Sequence, residues 1–166
     1  MSTSPAPAQV STRPASVLMW LTYVIGGIGA FIGFITVFDD PPSLTIAAVL
    51  AVGVTGILSF LRHGIYNRSD AVRGGWDYGT RNNFQVEVGL ANLAWGVYAI
   101  VAVILDWGLM ALSASFLISG AYFVFVTVFV IVTSDIGNRR IGPLLGIGSW
   151  GVFMVALGVL GVIAAG

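Results

Sequence analysis

The residues able to do chemistry in this chain are concentrated between positions 62 and 96. The connector RHGIYNRSDAVRGGWDYGTRNN (62–83) sets Arg62, Arg68, Arg73 and Arg81 against Asp70 and Asp77, with Trp76 and Tyr78 among them. Guanidinium groups hold carboxylate or phosphate through paired N–H donors, so this pattern suits an anionic headgroup or a small anion. It equally suits a loop anchored at a membrane surface by its cations, or a surface that docks a protein partner. Asp70, Asp77 and Glu87 with Arg73 and Arg81 also offer the carboxylates and cations of a diffuse enzyme site, but no spacing selects a reaction. His63 is the single histidine. It has no evident local partner for a catalytic triad and cannot alone supply two haem imidazoles, so it is read as an interfacial side chain. Without cysteine or paired histidines, no metal site and no cofactor are expected. Nucleophile elbows, phosphate loops and dinucleotide fingerprints are absent as well.

The connector runs directly into FQVEVGLANLAWG (84–96), an apolar segment with three polar side chains. Gln85, Gly89, Asn92 and Gly96 advance by four, three and four residues, which places them on one helical face. An amide inside a membrane helix turns toward another helix or a ligand, because lipid offers it no hydrogen bond. Glu87 falls on a second line with Ala91, Ala94 and Tyr98. It is expected to pair with Arg73, Arg81, Arg139 or Arg140; a proton route and a ligand contact stay open beside that reading. Asn82 followed by Gln85 has the form of a helix-start cap. The candidate ligand or partner residues are therefore Gln85, Glu87, Gly89, Asn92, Gly96, Arg73, Arg81, Trp76 and Tyr78.

The elements that position these groups are apolar. Of 166 residues 57% are apolar and 8% charged, with a mean hydropathy of +0.96 and long apolar runs, which indicates a bilayer rather than a soluble core. Five segments, 17–38, 43–61, 84–105, 108–133 and 143–164, approach the roughly 20 residues a helix needs to cross about 30 Å of hydrocarbon. The expected fold is an all-α integral membrane bundle of five transmembrane helices. Residues 1–16, rich in Pro, Ser and Thr, are expected to be a flexible cytoplasmic tail ahead of one membrane domain, 17–166. An interface-lying helix is expected within 68–76. With the N-terminus cytoplasmic, all seven arginines fall on the inner side, while the outer turns hold Asp39, Asp40 and Asp106. The C-terminus is then external. A balanced net charge offers no footprint for nucleic acid.

Small residues four apart, Gly29/Gly33, Ala47/Ala51, Ser115/Ser119 and Gly142/Gly146, are expected to form close-packing grooves. Trp20, Trp76 and Trp107 suit the membrane interface, and Trp95 suits a protein contact. Within 77–96, Phe84, Gln85, Glu87, Gly89, Ala91, Asn92 and Leu93 form a Phe-Gln-x-Glu-x-Gly-x-Ala-Asn-Leu helix entrance after a polar loop. In this the chain resembles small uncharacterised bacterial membrane proteins whose general layout is similar to DoxX-like multispan proteins. The resemblance implies a bacterial inner-membrane location and no particular reaction. The expected role is a structural or accessory subunit of a larger membrane complex, associating with lipids and with a membrane-protein partner or further copies of itself. A small-solute or lipid-binding transporter is the first alternative, and an enzyme using the connector the second.

Overall fold

Pro14, in the first turn where its missing N–H costs no hydrogen bond, opens a helix α1 spanning Arg13–Thr36. This start lies four residues ahead of the expected 17. Ala15 is fully buried there, its N–H donating to Ser69 Oγ at 3.3 Å. The computed structural model describes residues 10–75, 77, 80–133 and 141–166. The expected tail up to residue 9, Trp76, Tyr78, Arg139 and Arg140 lie outside the described residues.

Helix α2 follows over Thr45–Ile65 and α3 over Asn67–Gly74. Then come α4 (Asn83–Ile104), α5 (Gly108–Thr133) and α6 (Ile141–Ala164). Five of these, all but α3, are long and apolar enough to cross a membrane, which makes the chain an all-α multispan bundle. The short α3 falls in the stretch where a helix is expected, and it ends at Gly75, whose φ of 78° few other residues adopt.

Close contacts fix an up-and-down order. In α1, Gly26, Gly29 and Gly33 face Thr55, Ala51 and Ala47 of α2 in reverse sequence. Between α2 and α4, Gly56 lies against the Asn92 carbonyl and Gly96, while Gly53 meets Ile100. Between α5 and α6, Gly120 and Gly151 approach so closely that a Cβ on either would stand 2.7–2.9 Å from the other helix's backbone. Lipid supplies no hydrophobic drive for helix association, so such backbone proximity carries much of the packing. The grooves expected at Gly29/Gly33 and Ala47/Ala51 thus form and face each other. Gly146, by contrast, points into open space, and Gly148, Gly151, Gly158 and Gly161 make the contacts on that helix.

The order puts Arg13, Arg62, Arg73 and Arg81 at one end of the bundle and Asp39, Asp40 and Asp106 at the other. The apolar core, including Val37, Leu44, Ala48, Ala102, Leu112, Phe116 and Leu157, fills the aspartate half. Phe31, Phe125 and Ile163 are directed outward, as lipid-facing side chains should be. Trp20 and Trp107 are exposed near helix ends, whereas Trp95 packs on Tyr122 with ring centroids 4.9 Å apart.

Candidate functional site

At the arginine end the chain sinks a carboxylate. Asp70 of α3 is 1% exposed and lies among four polar side chains from α2, α3 and α4. Arg73, one turn further along α3, donates to Asp70 Oδ1 from Nη2 at 2.8 Å and from Nε at 3.2 Å. Gln85 of α4 donates from Nε2 to Oδ2 at 3.1 Å, and His63 Nδ1 stands 2.9 Å from the same oxygen, off the line of a well-directed hydrogen bond. Arg62 Nε is 3.7 Å from Oδ1, close enough for charge attraction alone.

Local geometry explains how two consecutive residues of α2 reach this point. The last turn, Leu61–Ile65, is π-helical: Tyr66 N–H donates to the Leu61 carbonyl at 2.9 Å, five residues back. The widened turn carries Arg62 and His63 beneath α3. Gly89 admits it, since a Cβ there would lie 3.1 Å from Gly64 N and 3.3 Å from His63 Cβ. On the other side α4 is held by its cap, with Gln85 N–H donating to Asn82 Oδ1 at 3.4 Å. The Gln85 side chain does not turn back to complete a capping box; it goes to Asp70 instead.

Arg62 Nη2 lies 2.7 Å from His63 Nε2. A guanidinium has no acceptor, so Nε2 receives this bond on its lone pair and the neutral ring carries its proton on Nδ1, facing the carboxylate. Burial alone would raise the Asp70 pKa. His63, Arg62 and Arg73 outweigh that cost and hold it down from 3.8 to about 2. With the ring neutral, two guanidiniums against one carboxylate leave the cluster one positive charge in excess. Arg62 Nε and Gln85 Oε1 are buried without a hydrogen-bond partner among the described residues. Arg73 also ties the cluster to α1 by donating from Nη1 to Met19 Sδ at 3.0 Å.

The stripe Gln85, Gly89, Asn92 and Gly96 is buried, and it faces α2. Only Gln85 enters the carboxylate cluster. Asn92 bonds within its own helix, donating from Nδ2 to the Val88 carbonyl at 2.7 Å, instead of reaching across to a neighbour. Glu87 and Ala94 are exposed, and among the described residues, which do not include Arg139 and Arg140, Glu87 forms no ion pair. Its position, two residues and so about 200° around the helix from both Gln85 and Gly89, puts it on the face opposite the buried stripe. Arg81 is likewise exposed. Asp77 pairs with Arg68 at 3.2 Å near the surface, so Asp70, Asp77 and Glu87 share no common site, and no group of three or more metal-ligating side chains occurs among the described residues.

Asp70, Arg62 and His63 were the residues least evident in the sequence. The available signal was an Arg-His doublet closing an apolar helix, followed seven residues later by an aspartate that precedes an arginine by three. His63 does have a local partner, and it is Asp70.

Fold and site together define a small all-α multispan membrane protein whose polar connector folds back onto one end of the bundle. The chain belongs to a family of unknown function (DUF6790), whose family model matches residues 41–139. That segment contains α2 to α5 and the whole carboxylate cluster. No curated protein and no solved structure matches the chain.

Proposed function

We propose that this protein is a structural or accessory subunit of a larger bacterial inner-membrane assembly, with its arginine-bearing end in the cytoplasm and the C-terminal end of α6 outside. The observation that carries this reading is the internal commitment of Asp70 and the groups around it. Both oxygens of Asp70 are taken up by Arg73, His63 and Gln85, so the chemistry-bearing side chains clamp α3 to α1, α2 and α4. Such a clamp presents a fixed surface at the membrane face, which is what a docking subunit needs. The positive-inside bias supports the orientation, and the helix-entrance resemblance to small bacterial proteins of DoxX-like layout supports the location. Purification from native membranes in mild detergent should recover a partner protein in fixed stoichiometry. Isolation solely as a monomer or homodimer refutes the reading.

One observation favours a second reading, a small-solute or lipid-binding transporter: buried Asn92 lies at the bundle centre rather than at its rim. Uptake into proteoliposomes that is unaltered by Asn92→Ala removes it.

A further inference from the structure

Thr22 of α1, Thr55 of α2, Asn92 of α4 and Ser119 of α5 converge on a cavity of about 30 Å³, walled also by Trp95 and Trp150. Asn92 stands nine residues beyond Asn83, about 14 Å along α4, near the middle of a roughly 30 Å hydrocarbon layer. A polar pocket at that depth has no bulk water to satisfy it.

The direction of the hydrogen bonds decides what the pocket takes. Thr22 Oγ1 donates to the Leu18 carbonyl at 2.8 Å, Thr55 Oγ1 to Ala51 at 2.7 Å and Ser119 Oγ to Ser115 at 2.8 Å. Asn92 spends an amide proton on Val88 at 2.7 Å, which leaves its Oδ1 as an acceptor. The Thr22, Thr55 and Ser119 hydroxyls have thus given away their only protons and retain lone pairs, while Ser59, which also lines the cavity, makes no such bond among the described residues and can donate or accept. Most of these oxygens are acceptors, so the guest must be able to donate to them, and the second amide proton of Asn92 suits a guest that can also accept. A cation is disfavoured, because no carboxylate lines the pocket and the charged cluster nearer the membrane face is positive in excess. The volume admits a water molecule, which needs about 10–15 Å³ by the same measure.

We propose that this cavity is a binding site for a single water molecule that donates its two hydrogens to Thr55 Oγ1 and Ser119 Oγ, accepts from the second amide N–H of Asn92, and so joins α2, α4 and α5. The inference is independent of the subunit reading. It also gives α2 a reason for its first π-helical stretch, Ala48–Val54, which ends beside Thr55 and widens the helix at the pocket wall.

The test is cross-relaxation from water to the Asn92 side-chain amide, measured by NMR on full-length protein in lipid nanodiscs. A long-lived water gives a cross-peak on Asn92 in the wild type, reduced several-fold in the near-isosteric Thr55→Val. Absence of that cross-peak in the wild type, or its replacement by one from lipid acyl protons, overturns the proposal without recourse to a variant. An Asn92 shift that depends on exchanging sodium for potassium overturns the neutral guest. An undiminished cross-peak in folded Thr55→Val overturns the assignment to these oxygens.

Discussion

The seam between α2 and α4 and the seam between α5 and α6 solve the same packing problem differently. Both bring backbones together at glycines, Gly56 to Gly96 in one and Gly120 to Gly151 in the other. In the α5–α6 seam the polar groups are neutral and satisfied at home: Ser113 and Thr127, which meet Gly161 and Gly148 of α6, donate to carbonyls four residues back on α5. The α2–α4 seam is irregular, with two π-helical stretches in α2, and at its end Gln85 of α4 and His63 of α2 meet across it at Asp70. Steric fit alone suffices to hold a membrane hairpin; charge and helical irregularity are added where the connector must be fixed.

Removing the charge is the strongest way to break this contrast. Asp70→Asn keeps the shape but leaves two half-buried guanidiniums without their counter-ion, and the expected loss is about 3 kcal/mol of stability in detergent unfolding. Proteolysis within 62–83 should accelerate at the same time, since α3 loses its anchor. An equally stable variant with an unchanged cleavage rate removes the clamp.

On the steric side, Gly120→Ala drives a Cβ to 2.7 Å from Val155 N and should cost about 2 kcal/mol, detected as a lowered unfolding midpoint. Its digestion pattern in the connector should match the wild type. Faster cleavage there shows that the two seams are coupled.

Acid separates the seams without mutation. The Asp70 pKa is depressed in the folded protein, so its contribution is fully present above about pH 5 and is lost as pH falls from the ordinary value of 3.8 through about 2. The shift corresponds to roughly 2 kcal/mol. Stability should fall over that window in the wild type, and Asp70→Asn should lack this component. Parallel pH profiles sink the assignment.

Least affected should be Ser115→Ala, which deletes a bond internal to α5, from Ser115 Oγ to the Leu112 carbonyl, and should shift stability by about 0.5 kcal/mol. A loss as large as that of Gly120→Ala places Ser115 in an interhelical role.

The five long helices were legible in the sequence because apolar length is a local property. The buried stripe of α4 was legible for the same reason, through the spacing of Gln85, Gly89, Asn92 and Gly96. Asp70 was not. It belongs to a short polar helix whose mean composition indicates exposure, and its burial depends on α3 folding back under Arg62 and onto Gln85, 15 residues away in sequence. Glu87 shows the converse: its spacing already set it on a different face from Gln85, and that face is exposed. Local pattern gives the face of a helix; it does not say which loop closes over its end.

The π-helical turn at Leu61–Ile65 makes the site sensitive to chain length as well as to side-chain identity. A π turn accommodates a residue beyond what an α-helix of the same height would hold. Deleting one residue there would leave an unbroken α-helix, still apolar and still able to span, but without the widened turn that brings both Arg62 and His63 to the carboxylate. Arg62 and His63 would lose their aim on Asp70 although no side chain of the cluster had been altered. Insertions and deletions at this turn are therefore predicted to be as damaging to the clamp as replacing the aspartate itself.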